Sequence, residues 1–560
     1  MTHIEHDPTT QNNLRAARTF QQIPPEHHLV EWRSLADLIT QRAAEAGQRR
    51  FLTYFNDQTD ETLRWSYADL LERAARIANL LVNEYSVQHG ERVATLAYNH
   101  PDTVAMYVAC WLIGATVAPQ NVGEDDTRIA FILRNTAARV LLARPEYAER
   151  ARTLAAEAAN VVHVVALDAA FDAALTAQST TFHPTTTPSL EDEALLVYTS
   201  GTTGAPKGVQ LSHYNLLADC TGIERWHGID GDTQLMCILP LHHVNGIVVT
   251  LITPLLARSS VVLNRGFSAG TFWRRVADER VNIVSVVPTI LQYLCEAHGD
   301  TSDLDLSQLR YVICGAGTLA VALARRFTEQ FGVRVLHGYG LSETTCYSCF
   351  LPVDLPDAEY THWMAALGYP SIGVPIWPNE MAIHDAAGQE VAAGEKGEIV
   401  IRGHNVMLGY FERPDANAEA FKYGWFRSGD EGFMQRDEQN RPFFFITGRL
   451  KELINRGGVK YSPFEIEEVM LGVAGVRTAL AIAFPNSWYG EEIGAYIVLD
   501  AGATVTVEQV LAHCRAHMPA SKCPKVVVFG SEIPVTATGK YQRLRLQDLF
   551  AEWSETQFRD

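Results

Sequence analysis

Between Leu35 and Leu336 the spacing of apolar positions switches repeatedly between two periods. In Tyr67–Val82 (YADLLERAARIANLLV) apolar residues recur every three to four positions, which predicts an amphipathic helix. Arg92–Ala97 is a short apolar run and predicts a buried strand. Met106–Ile113 predicts a helix and Ala138–Leu142 a strand, and the alternation returns from Asp232 to Leu336. Helix and strand in alternation predict an α/β fold with largely parallel sheets. No repeat of solenoid length is present. Ser179–Ser189 (STTFHPTTTPS) reads as a surface linker. A second break falls at Gly448-Arg449-Leu450-Lys451. Beyond it Pro463–Leu471 and Val507–His517 predict helices, and Ala479–Phe484 and Ala495–Leu499 predict strands. The expected organisation is a polar arm over residues 1–30, then a large body over 31–450, with mixed and parallel sheets flanked by helices. A small α+β domain over 451–560 completes it.

Composition narrows the function classes. At ~150 residues per domain the chain predicts three to four domains or subdomains. Hydrophobic residues make up 47% and charged residues 20% of the 560, enough apolar content to bury a large core. The charge balance, 46 basic against 65 acidic residues, is −19 and argues against a nucleic-acid or anionic-membrane binder. Nine scattered cysteines, an odd number, form no paired framework, so a reducing cytoplasm is expected. Cys346-x-x-Cys349 has no second pair to complete a metal site. The N-terminal stretch has no apolar core, so no signal peptide is expected. Gly246–Ala257, the longest apolar stretch, is too short to span a bilayer and contains Pro254.

Candidate chemistry concentrates in Tyr198-Thr199-Ser200-Gly201-Thr202-Thr203-Gly204-Ala-Pro-Lys207-Gly208, which follows the apolar run Ala194–Val197. Its glycines permit unusual backbone angles, and its hydroxyls and backbone N–H groups can surround phosphate oxygens. Lys207 adds a cation. The lysine spacing is not that of a P-loop NTPase. This string resembles the phosphate loop of the adenylate-forming superfamily of acyl-CoA synthetases, nonribosomal-peptide adenylation domains and beetle luciferases. Five further motifs occur in that family's order, so the resemblance covers roughly residues 30–550.

The resemblance implies a role for each matching residue. In Leu239-Pro-Leu-His-His243-Val-Asn-Gly246, His243 would flank the carboxylate near the α-phosphate. In His337-Gly-Tyr339-Gly340-Leu-Ser342-Glu343-Thr344, Tyr339 offers a face to adenine, Ser342 a hydroxyl to phosphate, and Glu343 an oxygen ligand to Mg²⁺. In Trp425–Asp430, Asp430 would accept from the ribose hydroxyls. In Gly448–Gly458, Arg449 would contact ribose and Lys451 would be the hinge. Gly457 and Gly458 would let a pantetheine arm approach, and Lys460 would lie near the adenylate. Val459 departs from the Glu that many relatives carry there. In Pro534–Lys540, Lys540 resembles the mobile catalytic lysine.

The implied activity is ATP-dependent conversion of a carboxylic acid to an acyl-adenylate, followed by acyl transfer to CoA with release of AMP. The acyl pocket would lie between His243, Gly315-Ala316-Gly317 and Gly340. Acetate-using relatives carry tryptophan at the position of Gly340, so an acid larger than acetate is expected. Asn245 reads either as a contact for a polar substituent or as a structural turn, and the segment 346–370 as an excursion near the pocket. The chain ends soon after Lys540 with no carrier-protein serine motif, which favours CoA as acceptor. An amine or carrier-protein acceptor, an oxygenase use of the adenylate and a non-catalytic homologue are the alternatives. The expected partners are the acid, ATP and CoA, in a monomer or homodimer.

Overall fold

The computed structural model describes residues 7–199, 205–297, 301–535 and 541–558. Three sheets build the body. The first has nine strands, and its centre is six parallel ones: Val335–Tyr339, Tyr311–Cys314, Ile283–Val286, Gln234–Cys237, Ser260–Asn264 and Arg50–Asn56. Cys349–Phe350 and Val374–Pro375 continue it antiparallel at one edge, and Glu61–Ser66 at the other. The second sheet has seven strands. Glu193–Thr199, Thr116–Gln120, Arg92–Leu96, Val140–Ala143 and His163–Ala166 run parallel, with Lys207–Ser212 and Gly409–Tyr410 added antiparallel. The third is an antiparallel sheet of Asn379–His384, Gly397–Gly403, Phe426–Arg436 and Pro442–Arg449.

The helix Pro101–Ile113 joins the first two sheets. All of its residues are buried, as expected for a helix that is apolar on every side. Tyr107 donates to the Leu241 carbonyl at 2.9 Å, and Trp111 donates to the Ala194 carbonyl at 3.0 Å. The predicted helix Met106–Ile113 is the second half of this element. Its start is set by His100, which caps the Asp102 amide, and by Pro101 in the first turn.

The apolar stretch from Gly246 also helps shape the body. It lies in a buried π-helix, Asn245–Ile252, that runs into the helix Thr253–Leu256. Pro254 has no N–H to donate, and the Thr253 amide reaches back five residues to the Val248 carbonyl. Such wide turns occur often beside functional sites. Among the described residues no helix is long and apolar enough to cross a membrane.

Residues 1–30 are not simply a polar arm. Pro8–Ala17 is a helix capped by Asp7, and Ala17 and Phe20 are buried. His404 bonds the Ile23 carbonyl at 2.9 Å, and the Leu29 amide donates to the Tyr214 hydroxyl at 3.0 Å. Leu14, Ala17 and Phe20 supply the apolar contacts that seat the segment. They are too few among polar neighbours to register as a period.

The last sheet comprises Val459–Tyr461, Ile454–Arg456, Gly490–Leu499 and Val476–Asn486, with Val526–Gly530 parallel to Gly490–Leu499. Helices Pro463–Leu471 and Val507–His517 pack on it around Ile454, Ile466, Met470, Val510 and Cys514. This unit touches the body at several points: Ser462 donates to the Thr447 carbonyl, and another contact is aimed at a helix end. Glu468 accepts from the Val321 amide at 3.1 Å, at the start of the body helix Val321–Phe331, which has no side-chain cap of its own. Burial pushes the Glu468 carboxyl up to about 7. Arg477 lies 3.7 Å from Glu296 nearby.

All nine cysteines are buried and none is in a disulfide. Burial pushes eight of these thiols up, to about 12 for Cys110, Cys237 and Cys514. Cys346 and Cys349 are among the buried thiols, and no group of three metal-ligating side chains occurs among the described residues.

Candidate active site

The candidate residues gather at the carboxyl ends of parallel strands, where open α/β sheets bind ligands. Tyr339 ends the strand Val335–Tyr339, and Thr199 ends Glu193–Thr199. Asp430 and Arg449 face each other in register across the antiparallel third sheet. The Tyr339 hydroxyl donates to Asp430 Oδ2 at 2.7 Å, which links the first sheet to the third. Arg449 Nε lies 3.2 Å from Asp430 Oδ1. That approach is off the hydrogen-bonding direction, so Oδ1, with Asp430 only 1% exposed, holds an ion pair without a hydrogen bond. A buried acceptor in that state is suited to an incoming hydroxyl. Burial and the Asp430 charge hold the Tyr339 phenol well above its usual range, so it remains a donor. The Asp430 charge likewise raises the Arg449 guanidinium.

A second group forms around Glu343. It lies in the short 3₁₀ turn Ser342–Thr344, and the Met407 amide donates to its carbonyl at 2.9 Å. The Tyr410 hydroxyl donates to Glu343 Oε1 at 2.8 Å. Among the described residues no hydrogen bond reaches Oε2, so one hard oxygen of this buried residue remains for a cation. That donor chemistry fits Mg²⁺. Lys207 sits over the same Tyr410 ring, with its amine 4.6 Å from the centroid. Burial pulls the Lys207 amine down, and the Glu343 charge opposes the fall. Lys207 pairs with Thr199 across the hairpin, so both ends of the 199–207 segment are anchored at this group. Ser200, Gly201, Thr202, Thr203 and Gly204 lie outside the described residues, as does Lys540. Lys451 is exposed in the turn after Pro442–Arg449, close enough for its charge to act on Lys207.

A third group occupies the expected acyl pocket. His243 Nδ1 accepts from the Asn245 amide at 3.3 Å, which places the neutral ring's proton on Nε2. Its neighbour His242 is half-buried and pulled down to about 4 by desolvation, hence neutral. Asn245 is structural: its amide donates to the Tyr347 hydroxyl at 3.1 Å and accepts from Ser285 at 2.8 Å. After Glu343 the backbone makes an abrupt reversal. The Cys346 amide donates to the Thr344 carbonyl at 2.8 Å around Thr345, whose φ of 65° and ψ of −62° describe a strained γ-turn. A β-branched residue holds such angles only where its surroundings dictate them. Here the Thr345 hydroxyl donates to the Asn405 carbonyl at 2.7 Å, and Asn405 donates to the Thr344 carbonyl at 3.2 Å. Asp219, its carboxyl pushed well up by burial, accepts from the Tyr347 amide at 3.3 Å.

This turn changes the meaning of the pocket glycines. A Cβ on Gly340 would collide with the Cys346 carbonyl oxygen and lie 2.7 Å from Tyr347 Cα. One on Gly315 would strike the Tyr347 hydroxyl, and one on Gly338 would lie 2.9 Å from the Tyr347 ring. The glycines are bare because Cys346, Tyr347 and Phe350 pack on them. Gly340 therefore carries no information on acid length. Ala316 holds a left-handed φ of 61°, and a Cβ on Gly317 would lie 3.2 Å from Pro288. The rest of segment 346–370 is no loose excursion: it supplies the edge strand Cys349–Phe350 and the helix Asp357–Ala365, whose Trp363 stacks on Phe443 at 3.9 Å.

Gly457, Gly458 and Lys460 are not part of these groups. They are exposed on the hairpin joining Ile454–Arg456 to Val459–Tyr461. Gly457 and Gly458 have φ of 61° and 87°, angles that favour glycine. Two site residues, Tyr410 and Tyr347, escape the motif reading. Tyr410 is marked only by Gly409-Tyr410-Phe411, and Tyr347 by its place after Glu343-Thr-Thr.

Comparison with known proteins bears directly on this arrangement. A family model described as AMP-binding enzyme matches residues 39–411, and one described as AMP-binding enzyme C-terminal domain matches 465–540. An oxalate–CoA ligase of Arabidopsis thaliana is 35% identical over 492 residues, covering 86% of this chain and 92% of the relative. A feruloyl-CoA synthase of an Amycolatopsis species is 34% identical over 476 residues, covering 85% and 92%. The crystal structure of ATP-bound MatB from Rhodopseudomonas palustris overlays with a TM-score of 0.82 at 26% identity, covering 93% of this chain and all of that one.

Proposed function

The chain belongs to the AMP-binding enzyme family, and on that premise we propose how its residues divide the work of an acid–CoA ligase. The enzyme activates a carboxylic acid with ATP and passes the acyl group from the adenylate to CoA. The observation that carries this reading is the convergence of Tyr339, Asp430 and Arg449 beside Glu343, Tyr410 and Lys207.

Attack of a carboxylate on the α-phosphorus brings two anions together, so catalysis is chiefly positioning and charge neutralisation. Asp430 Oδ1 accepts from a ribose hydroxyl, and Arg449 fixes that carboxylate. Tyr339 presents its ring to adenine while its hydroxyl holds Asp430 Oδ2. Lys207 and the loop 199–204 take the role of binding the departing phosphates. Glu343, oriented by Tyr410, would hold Mg²⁺, which when bound neutralises phosphate charge. His243 Nε2–H donates to the acid's carboxylate and holds it for in-line attack. Lys540 supplies the mobile cation of the first half-reaction. It must leave before the thiol attacks, and a pivot at Lys451 serves both needs. Gly457 and Gly458, at their left-handed angles, offer the pantetheine arm a side-chain-free approach. A cytoplasmic location fits the buried, unpaired thiols.

The test is release of AMP and pyrophosphate from ATP with a panel of acids, with and without CoA. AMP formation that requires both an acid and CoA is the expected result. Acid-dependent pyrophosphate release with no response to CoA would redirect the second half-reaction to an amine or carrier-protein acceptor.

A further inference from the structure

The hairpin that carries Gly457 and Gly458 hangs from its sheet by little backbone. Its strands Ile454–Arg456 and Val459–Tyr461 pair with each other at three positions. Among the described residues, Arg456 opposite Gly490 is the one strand pairing that ties them to Gly490–Leu499. At that register lies an ion pair with no role in the scheme above. Arg456 is 6% exposed and Glu492 is fully buried, with Arg456 Nε 2.7 Å from Glu492 Oε1. Arginine and glutamate are almost never fully buried unless paired. We propose that Arg456 is a positioning residue for the second half-reaction: paired with Glu492, it fixes the Gly457–Gly458 tip on which the pantetheine arm of CoA lies. The inference rests on the acid–CoA ligase reading and deepens it on the acceptor side.

Three successive hairpin residues are clamped by the turn 489–492. The Asn455 amide donates to Glu491 Oε2 at 2.6 Å, and the Gly457 amide donates to the Tyr489 carbonyl at 2.8 Å. Between them the Arg456 guanidinium pairs with Glu492 and lies 4.2 Å from the centroid of the Tyr489 ring. The clamp is itself held. Glu492 Oε1 also accepts from the Ile493 amide at 3.0 Å, the Tyr489 amide donates to Asn486 at 3.1 Å, and the Tyr489 hydroxyl donates to the Phe558 carbonyl at 3.1 Å. Beyond these contacts the tip is open. A Cβ on Gly458 would meet nothing within 4 Å, and one on Gly457 only the Tyr489 ring at 3.7 Å. The glycines therefore serve their left-handed angles, and the free side is left to a ligand. A buried ion pair is a weak source of stability, because its attraction must first offset desolvation. What this pair supplies is one orientation for the strand that ends at the tip. Lys207, Glu343, Asp430 and Arg449 take no part in these contacts, so the pair acts on the acceptor and not on the nucleotide.

The test separates the two half-reactions. Acid-dependent ATP–pyrophosphate exchange reads adenylate formation, and acyl-CoA formation against CoA concentration reads the second step. Arg456→Lys keeps a cation for Glu492 but gives up the planar group over Tyr489, which an ammonium cannot replace. Glu492→Gln keeps an acceptor for Arg456 and gives up the charge. Arg456→Lys should raise KM for CoA about tenfold or more, as a small misplacement of a binding element does. Glu492→Gln should raise it by less. Exchange by both variants should match the wild type, and since the same unit carries Lys540, matched exchange shows that the unit is intact. Cooperative thermal unfolding checks that each variant is folded, and either one suffices if the other is not. An unchanged KM for CoA in a folded variant would overturn the proposal. So would equal losses in exchange and in acyl-CoA formation, which would make the pair a brace for the whole unit. Wild-type exchange with no acyl-CoA formed at any CoA concentration would sink the CoA reading itself, and the positioning role with it.

Discussion

Glu468 makes the contact between the small unit and the body pH-dependent. Its carboxylate caps a body helix at the Val321 amide, while burial raises its proton affinity from the ordinary 4.5 to about 7. The Val321 and Ala322 amides oppose that rise, Glu467 adds to it and Arg325 reduces it. With the two units apart the group is hydrated and reverts toward 4.5. Below that pH both states carry the proton and docking is at its strongest. Between 4.5 and 7 only the docked state keeps it, so docking weakens as pH rises. Above 7 both are ionised and the loss is complete. At about 1.4 kcal/mol per tenfold in proton affinity, the loss reaches about 3 kcal/mol. Glu468→Gln preserves an acceptor for Val321 and removes the titration. Hydrogen exchange read by mass spectrometry on the peptide spanning Val321 and Ala322, corrected for the intrinsic pH dependence, reports the cap. Wild-type protection should fall between pH 5 and 8, and the glutamine variant should stay protected throughout. A wild-type profile flat with pH, or a glutamine variant that follows the wild-type slope, would refute the reasoning.

Asp430→Asn should raise KM for ATP about ten- to hundredfold, because a charge-assisted hydrogen bond is worth about 1.5–3 kcal/mol. An unchanged KM for ATP would remove Asp430 from the ribose site. Tyr410→Phe keeps the ring under Lys207 and deletes only the donor to Glu343, so pyrophosphate exchange should slow about fivefold, about 1 kcal/mol. Full activity of that variant would show that Glu343 needs no such support. Lys540→Ala should cut adenylate formation severely while thiolation of supplied acyl-adenylate persists. Equal loss of both steps contradicts the division of labour.

Helices Pro463–Leu471 and Val507–His517 are readable residue for residue, because each has one buried face and a polar one and begins at a Ser or Thr cap. Pro101–Ile113 is only half legible, since a helix buried all round has no polar face to set a period. The Asp430–Arg449 pair is legible as motif residues, but only the pairing of two strands puts them opposite each other. Gly340 is the instructive failure. A glycine is written the same way whether its missing side chain leaves a void or admits another stretch of backbone, and here it admits the Cys346 carbonyl. The signal that settles the matter is a γ-turn on a threonine, a conformation no sequence rule assigns to that residue.

The buried cysteines have a practical use. With all nine thiols buried, the native chain offers alkylating dyes little to react with while it stays folded. A cysteine placed at exposed Val162 of the body, and another at exposed Val507 of the small unit, would take up maleimide dyes against a quiet background. The wild-type enzyme thus comes ready for distance measurements between its body and its small unit, without the cysteine stripping that such experiments usually begin with.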